Sequence, residues 1–421
     1  MFSHRANFSE PLPAAVDRAV VPRERTSTDQ PDTSSTVWLT SQAQADILDG
    51  AAFLAAGGGG AKSLGRELIS VLNGNWVPMV PAINVPDDAY VVCSAYIGSP
   101  AAALKLKSPT FNSLMRAIDA LETSAGINAD YVVPGETGAV NSLAPILSAH
   151  DLGRTVVDAG GCGRAVPLIA ATTFGVHDAL ATYGAATAND ADNPAAYQTA
   201  VLSASTTSGL QGGIGALAGS ASYGELCGTA LWLMTGAQLK TYAVPSGLSR
   251  AQNIGAALRT ATGNYTAVVL KQLAAFGMPG RVLFDGSLLN PISFTTHTQD
   301  AHDTGTLVLE RQDGGGTVTV YSLNENVLAY SSDQNQPVIL MPDMICWLGA
   351  DGSTFDNAQL QAEVSQGKAK PMFAIGVEAT QTVGAPSSGV AFRDYPGIGK
   401  FMAAIMGAVG YAGAYVPFKA G

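Results

Sequence analysis

Short apolar runs alternate with amphipathic segments through the first third of the chain. The runs Ala89–Cys93, Tyr131–Val133 and Thr155–Val157 have the length and valine content of strands that are covered on both faces. Between the first two, Phe111–Thr123 repeats its apolar residues at helical spacing. Because strands that alternate with helices tend to lie parallel in one sheet, this order predicts an α/β N-terminal domain with a mainly parallel sheet.

Helices are also expected around these strands. Ser41 can cap a helix that ends at the glycine run of residues 57–60, and a second helix is expected from about Ser63. A further helix-like stretch begins at Asn141, after the second predicted strand. Each strand is therefore expected to be followed by a helix that covers the sheet.

The second half of the chain has a different pattern. Helices are expected at Leu231–Leu239 and Ala251–Thr260, the latter capped by Ser249. After Gly280, glycine-rich turns separate several strand-like segments. These segments are Arg281–Phe284, Thr306–Glu310, Thr317–Tyr321 and Val338–Met341. The pattern predicts that the α/β domain is followed by a β-rich (α+β) C-terminal domain.

The expected domain boundaries follow shifts in composition. Residues 1–38 mix Arg, Asp, Pro, Ser and Thr without a continuous apolar run, so we expect a flexible N-terminal extension rather than a signal peptide. Residues 203–219 are rich in Ser, Thr, Gly and Ala, which is typical of a boundary. We therefore expect the α/β domain at 39–205 and the β-rich domain at 206–421.

Charge and cysteine content exclude several classes of protein. Charged residues are 13% of the chain and the net charge is −11, so a nucleic-acid-binding protein is not expected. The cysteines Cys93, Cys162, Cys227 and Cys346 form no CxxC pair. Neither a zinc knot nor a disulfide framework is indicated, and a reducing, cytoplasmic location is expected.

One apolar segment has the length of a membrane span. Phe401–Phe418 contains no charged residue over 18 positions, which meets the lower limit for crossing a bilayer. It also contains three glycines and a proline. We therefore expect a buried helix or strand here and no membrane partner.

In an open parallel sheet, ligands bind beyond the carboxyl ends of the strands. The loops that follow the three predicted strands are residues 93–98, 134–138 and 158–164. The glycine run of residues 57–60 can form a fourth wall. We expect these four segments to meet around one small ligand.

The glycine run has three interpretations. It can cradle a phosphate with backbone N–H groups, allow a close backbone approach to a small ligand, or simply end the helix. The Walker phosphate-loop pattern is not matched, because Ala61 precedes Lys62-Ser63 and Ala56 stands at the first glycine position. The predicted ligand-binding residues of this run are Gly57, Gly58, Gly59 and Gly60.

The loop from Asp158 to Arg164 carries the residue types of an active site. Asp158 can act as a base, three glycines expose backbone N–H groups, and Arg164 can hold a carboxylate or a ring oxyanion. The alternative is an Asp–Arg pair that braces a tight turn. Glu136 can act as a general acid or base, or can be a loop carboxylate that accepts backbone N–H groups.

Cysteine and histidine offer two further kinds of chemistry. Cys162 can be a nucleophile or a small buried residue. Neither histidine group has the spacing of a known zinc motif, so no cofactor is expected and a divalent metal is the alternative to a solvated loop. These groups are His177 with Asp178, and His297 and His302 with Asp300 and Asp303.

The chain resembles the S-methyl-thiohydantoin desulfurase-like family in a series of segments between about residues 45 and 418. The order and spacing of these segments carry the resemblance. They are Gly57–Gly60; Glu136, Asn141 and Pro145 in GETGAVNSLAP; VDAGGCGRAVP from Val157 to Pro167; Thr172-Thr173-Phe174; Thr235–Lys240; Ser249 with Ile254-Gly255; Asn324-Glu325-Asn326; Met341–Leu348; and the closing VGYAGAYVPF.

The resemblance implies an α/β N-terminal domain, a β-rich C-terminal domain and hydrolytic removal of sulfur from a thiohydantoin-type ring. Such proteins are often associated with hydantoin- and oxoproline-cleaving enzymes, so a hydantoinase-type partner and a homo-oligomer are both compatible with it. The sequence departs from the family pattern at Gly160 and Leu168, where acids are usual, at Cys162, where Met is usual, and at Ala61-Lys62 after the glycine run.

We therefore expect a hydrolase in which water attacks the ring carbon that bears sulfur. Asp158 or Glu136 takes the proton of the water, and Arg164 with loop N–H groups holds the developing charge. Asn141, Gly161, Cys162 and Gly163 are expected to contact the ring together with the glycine run. The alternatives are an accessory subunit of a hydantoinase-type enzyme, favoured by the missing acid at Gly160, and a metal-dependent hydrolase of another cyclic amide.

Overall fold

The computed structural model describes residues 36–98, 111–177, 183–188, 198–220, 222–297, 302–311, 316–366, 371–385 and 389–421. Within these residues the first sheet has nine strands. The strands are β1 (Val37–Leu39), β2 (Val77–Pro81), β3 (Tyr90–Gly98), β4 (Tyr131–Pro134), β5 (Thr155–Gly160), β6 (Tyr183–Ala188), β7 (Thr199–Ser203), β8 (Leu226–Thr235) and β9 (Val244–Pro245).

Three strands of the parallel core, β3, β4 and β5, are the strands that the sequence predicts, and β2 is a fourth that it does not. The strand order is β1-β2-β5-β4-β3-β8-β6-β7, and β9 pairs with β5. Neighbours from β2 to β3 run parallel, whereas β1, β6, β7, β8 and β9 pair antiparallel. The first domain is therefore α/β with a mixed sheet, and the ends of β3, β4 and β5 lie at the same edge.

Helices cover this sheet and connect it to the second sheet. They are α1 (Ser41–Leu54), α2 (Lys62–Leu72), α3 (Asn112–Ala125), α4 (Ala144–Asp151), α5 (Thr207–Ala218), α6 (Gly236–Tyr242), α7 (Gly247–Thr260), α8 (Tyr265–Ala275), α9 (Asn357–Ser365) and α10 (Ile398–Ala408). Helix α1 begins at the predicted Ser41, and the Thr40 side chain caps it by accepting from Ala43 N.

Three sequence expectations for this region are wrong. The N-cap of α1 is Thr40 and not the expected Ser41, which is the first residue of the helix. Residues 231–235 belong to the ten-residue strand β8 and not to a helix, because an apolar run that is buried on all sides carries no period that separates strand from helix. Ser249 lies in the first turn of α7, and Ser246 occupies the N-cap position. The Ser249 hydroxyl instead donates to the Asp158 carboxylate.

The second sheet is antiparallel, as expected for a β-rich C-terminal domain. Its strand order is β14-β13-β12-β11-β10-β16-β15. The strands are β10 (Gly280–His297), β11 (His302–Arg311), β12 (Thr317–Leu323), β13 (Glu325–Ser331), β14 (Gln336–Leu340), β15 (Met344–Gly349) and β16 (Pro371–Val377). A separate pair is formed by β17 (Thr382–Val383) and β18 (Val390–Ala391).

A continuous apolar core joins the two sheets. It includes Ile47 of α1, Ile254 of α7 and Met344 of β15, all of them fully buried. Helices α1 and α7 approach closely at two glycines. A Cβ atom on Gly50 would lie 1.8 Å from Ala251 O, and one on Gly255 would lie 1.9 Å from Asp46 O, so neither position has room for a side chain. The two helices therefore pack backbone against backbone at these glycines, without side chains between them.

The ends of the predicted domains differ in part from the sheets. Strand β1 pairs with β2, so residues 37 and 38 belong to the first sheet, and the rest of the predicted extension up to residue 35 lies outside the described residues. Strand β8 follows the predicted boundary at 205/206 but lies inside the first sheet, between β3 and β6. Residues 32–421 form one compact unit.

The uncharged C-terminal segment is a helix with one buried face followed by an irregular stretch, and not the buried helix or strand that the sequence predicts. Helix α10 ends at Ala408, and the chain beyond it is fastened by Asp343, whose Oδ2 accepts from Tyr415 Oη at 2.7 Å and from Phe418 N at 2.8 Å. Phe418 is buried. Among the described helices, none combines the length and the apolarity that crossing a bilayer requires.

Candidate active site

A cavity of about 100 Å³ lies at the edge of the first sheet where β3 and β4 end. Cys93 and residues 95–98 of β3, with Gly135 and Glu136 of the loop after β4, form one side. Gly59 and Gly60 form another. Leu231 and Trp232 of β8 contribute apolar surface, and Glu325 at the start of β13 reaches the cavity from the second sheet. Both sheets therefore supply its walls.

The glycine run is a packing junction whose second half faces the cavity. Gly59 has φ +69° and lies so near the next loop that a Cβ atom would be 2.4 Å from Gly138 Cα. Gly57 packs against the amides of Asn326 and Asn357, and a Cβ atom on Gly58 would collide with Glu325. The structure therefore places Gly59 and Gly60 at the cavity but buries Gly57 and Gly58 behind it.

Glu136 lies on the cavity wall, as the sequence analysis anticipates. Its Oε1 accepts from Asn141 Nδ2 at 2.7 Å and its Oε2 accepts from Val166 N at 2.8 Å. Burial raises the pKa of Glu136 to about 7, although these two hydrogen bonds and the Arg164 charge each act in the opposite direction. A carboxyl group with such a pKa can give or take a proton near neutral pH.

Asn141 holds Glu136 in place, and both of its amide hydrogens are used within the protein. Its Oδ1 accepts from Tyr96 N at 2.8 Å, and its Nδ2 donates to Tyr96 O at 3.1 Å as well as to Glu136. Asn141 thus takes the place of a neighbouring strand beside the end of β3. It lines the cavity, but its role is to orient the Glu136 carboxylate.

Glu325 is a second carboxyl group in the same cavity. Its side chain is 3% exposed, its Oε1 accepts from Gly59 N at a long 3.4 Å, and its Oε2 has no hydrogen-bond partner among the described residues. Burial, and then the charge of Glu136, raise the pKa of Glu325 well above its usual range. Two carboxyl groups with different environments suit acid–base chemistry.

Arg164 is fully buried behind the cavity and is not among the described residues that line it. Its guanidinium donates to main-chain carbonyl oxygens of its own loop, of β13 and of the loop between β14 and β15. These are Ala165 O at 2.9 Å, Pro342 O at 3.0 Å, Asp343 O at 2.9 Å and Asn326 O at 3.2 Å. The structure therefore gives Arg164 an influence on Glu136 and Glu325 through its charge, without contact to a ligand.

Asp158 lies away from the cavity, at the beginning of α7. Its Oδ1 accepts from Leu248 N at 2.9 Å and Ser249 N at 3.0 Å, and its Oδ2 accepts from the Ser249 hydroxyl. A carboxylate in this place satisfies the free N–H groups at the helix start and opposes the helix dipole. The expected meeting of Asp158 with Glu136 in one cavity does not occur.

The loop between Asp158 and Arg164 packs inside the protein. The Cys162 thiol donates to Arg164 O at 3.0 Å, and burial raises its pKa well above the usual range, which is the opposite of nucleophile activation. Gly161 lies against Gly135 O and Thr172, and Gly163 lies against the Gln381 side chain. None of these three residues is among the described cavity walls, which include Val166 and Pro167 from the next segment.

A β-bulge brings a strained tryptophan to the cavity. Val91 pairs with Met234 and Cys93 pairs with Leu231, so two residues of β8 face the single Val92. One of them, Trp232, has φ +45°, is 1% exposed and has an indole N–H without a partner among the described residues. A bulky residue with positive φ has a strained backbone, and strain of this kind is concentrated at active sites.

The predicted histidine groups are only partly described. His302 lies at the cavity and its Nε2–H donates to Pro167 O at 2.8 Å, while His177 Nε2 lies 2.6 Å from Tyr395 Oη. Asp178, Asp300 and the His297 side chain lie outside the described residues. In the described part of the chain, no three His, Cys, Asp or Glu residues are grouped as metal ligands.

Two residues of the site escape the sequence reasoning. Glu325 stands in Asn324-Glu325-Asn326, a segment that contributes to the family resemblance but has no catalytic pattern of its own. Trp232 stands in the segment that was expected to be a helix. The signal for Glu325 was a lone acid between two amides at the start of a strand, where a charged side chain is usually solvated.

Comparison with known proteins agrees with the fold and the resemblance. The family models described as S-Me-THD-like, N-terminal domain and S-Me-THD-like, C-terminal domain match residues 42–198 and 217–376. A crystal structure of a protein from Chromobacterium violaceum superposes with a TM-score of 0.74 at 25% sequence identity, over 91% of this chain and 100% of that one. No curated protein matches the chain.

The two matched regions follow one another in the order of the two sheets and together span most of the chain. The family takes its name from S-methyl thiohydantoin desulfurase. The chain belongs to the S-Me-THD-like family.

Proposed function

We propose that this protein hydrolyses a small thiohydantoin-type ring at the carbon that bears sulfur, releases a thiol or sulfide, and leaves a hydantoin. The observation that carries the proposal is the Glu136 carboxyl group, which has a pKa of about 7 and lies in a small cavity of a protein from this family. The family name supports the choice of ring, and the cavity supports the choice of chemistry.

The cavity suits a small, flat and weakly polar ligand. Its volume is only about 100 Å³. Leu231 and Trp232 offer apolar surface for a ring face, and Cys93, whose pKa is raised by burial, offers a neutral and polarisable sulfur. A charged or extended substrate would lose hydration in this cavity without regaining enough hydrogen bonds.

Glu136 is the base in this reaction. Its carboxylate takes a proton from water as the water oxygen bonds to the ring carbon, and the C–S bond then breaks. Asn141 and Val166 N fix the carboxylate on the wall through bonds of 2.7 and 2.8 Å. The charge of Arg164 keeps enough of the carboxyl group ionised near neutral pH for it to act as a base.

The test is a turnover assay with S-methyl-thiohydantoins and thiohydantoins. Released thiol is measured with a thiol reagent, and the hydantoin is measured by chromatography. We expect Glu136→Gln to lower kcat by about 10²–10⁴-fold, because the amide cannot accept the water proton. Glu67→Gln, on the exposed face of α2, is the control and should retain wild-type turnover.

Two results would overturn this proposal. One is a folded wild-type protein that binds these rings but releases no thiol, which would favour the accessory-subunit alternative. The other is full turnover by the Glu136→Gln variant, which would remove the base from the mechanism.

A further inference from the structure

Glu325 occupies a fixed position between the two sheets. The preceding residue, Asn324, has φ +56° and is held in place by hydrogen bonds in both directions with Asp303: Asn324 N to Asp303 O and Asp303 N to Asn324 Oδ1, each 2.7 Å. On the other side, Asn326 N donates to Ala56 O at 2.7 Å. The backbone around Glu325 is therefore anchored, so its side chain is directed to the cavity by the fold.

The hydrogen bonds of Glu325 are too few for a buried carboxylate. An ionised carboxylate offers about four acceptor positions, but Glu325 receives only one long bond from Gly59 N, at 3.4 Å, and one from its own backbone N–H. Its Oε2 has no partner among the described residues, and the side chain is 3% exposed. A neutral carboxylic acid loses much less hydration on burial, and its O–H needs one acceptor, which a ligand in the cavity can supply.

The charges around Glu325 also favour the neutral form. The pKa of Glu325 is raised first by burial and then by the Glu136 charge, and is lowered by the Arg164 charge. The same Arg164 charge acts on Glu136. One buried guanidinium therefore acts on both carboxyl groups, and the Asp343 carboxylate acts on it as well. Ionisation of both Glu136 and Glu325 would leave excess negative charge in the interior, which is relieved when the two carboxyl groups share one proton.

We propose that Glu325 is the catalytic acid of this cavity, and that it works with Glu136 on a ring whose nitrogen next to the sulfur-bearing carbon is an unprotonated acceptor. This inference rests on the proposed function and deepens it. The family name already gives an S-alkylated ring, in which that carbon is doubly bonded to nitrogen and carries a thioether, and the new element here is the role of Glu325.

The reaction then balances in two steps. In the addition, the water oxygen bonds to the ring carbon, Glu136 takes one water proton, and the electron pair of the C=N π bond takes the proton of Glu325. In the collapse, the C–S bond breaks and the leaving sulfur takes the proton from Glu136. The new hydroxyl returns its proton to Glu325 as the carbonyl forms, so both carboxyl groups regain their starting states.

The test compares Glu325→Gln with wild type on an S-methyl-thiohydantoin. A glutamine still donates a hydrogen bond to the ring nitrogen but cannot transfer a proton. We expect the Kd, measured by calorimetry, to stay within about threefold, kcat to fall by about 100-fold or more, and the loss of rate at alkaline pH to disappear from the kcat profile. Glu378→Gln is the matched control, because Glu378 is also buried but binds Ala420 N and Arg393 outside the cavity.

The outcomes separate this inference from the proposed function. If wild type releases thiol and Glu325→Gln does so at the same rate with the same pH profile, Glu325 is not the acid, while the proposed hydrolysis stands. If wild type releases no thiol, the proposed function fails and this inference fails with it. If Glu325→Gln and Glu378→Gln lose kcat equally, the effect is one of folding and the inference is wrong.

Discussion

The side chains of the cavity are arranged at the expense of stability. Glu136 and Glu325 are acids in a mainly apolar enclosure, and Trp232 has a backbone conformation that bulky residues avoid. A chain selected for stability alone would place apolar residues at these positions. The cost of burying the two acids should therefore be measurable as a dependence of stability on pH.

The first prediction concerns Glu136 and the free energy of unfolding. Its pKa rises from 4.5 to about 7 on folding, so the folded chain holds this proton more tightly than the unfolded chain. Wild-type stability therefore falls as pH rises through this window, and the loss is complete above it. Glu136→Gln lacks this group, so its stability relative to wild type should rise between about pH 5 and pH 8, by at least about 1 kcal/mol.

Urea unfolding at the two pH values measures this difference. The comparison uses the change with pH, because the amide of Glu136→Gln also loses the bond from Val166 N at both pH values. A pH-independent difference between the two proteins would show that the Glu136 carboxyl group has an ordinary pKa.

At the scale of single residues, the sequence identifies which side chains could act in catalysis, but not where those side chains point. Glu136 was recognisable because a lone acid in a glycine-containing loop after a strand tends to face the ligand edge. Asp158 and Arg164 have equally suitable side chains. Asp158, however, accepts hydrogen bonds from the N–H groups at the start of α7, and Arg164 donates to carbonyl groups of two other segments. Those partners are distant in sequence, so no local pattern reveals them.

At the scale of helices and strands, the alternation of short buried strands with helices is enough to predict a parallel core, because few folds are compatible with that alternation. Strand β8 was missed for a physical reason. It is buried along most of its length, so its sequence shows neither the alternation of a half-exposed strand nor the stripe of an exposed helix. Its central position between β3 and β6 could be found only through its pairing.

The second prediction concerns the glycine run between α1 and α2. Gly59→Ala must pay for a left-handed alanine and also for a Cβ atom 2.4 Å from Gly138 Cα. Gly126→Ala, at the end of α3, has nearly the same φ, +66°, but no atom within 4 Å of the new Cβ. We expect Gly126→Ala to lose about 1 kcal/mol and Gly59→Ala to lose more than about 3 kcal/mol.

The difference between these two glycine variants isolates the close contact from the backbone conformation. Chemical denaturation of both variants measures it. Equal losses in the two variants would mean that the glycine run is loosely packed against the loop after β4, and the cavity would then lack a firm wall on that side.

At the scale of the whole molecule, the third prediction concerns Arg164, which connects the first sheet to residues 326, 342 and 343. Arg164→Lys keeps the charge but cannot make these bonds together, so we expect a loss of about 3 kcal/mol in stability. The acid limb of the kcat profile should stay in place. Arg164→Met removes the charge that lowers the pKa of Glu136, so its acid limb should move to higher pH.

Thermal unfolding and pH–rate profiles of the two Arg164 variants provide the measurements. An acid limb that moves equally in both variants would mean that the shape of Arg164, and not its charge, sets the protonation of Glu136.

The cavity has walls from segments as far apart along the chain as Gly59 and Glu325, which are 266 residues apart and hydrogen-bonded to each other. A heterocycle bound in the cavity would contact both halves of the polypeptide and would stabilise their association. Bound ligand should therefore slow cleavage by proteases, and the melting temperature should keep rising with the logarithm of ligand concentration after the site is full. A gene divided between the two sheets should yield fragments that recover activity only after reassociation.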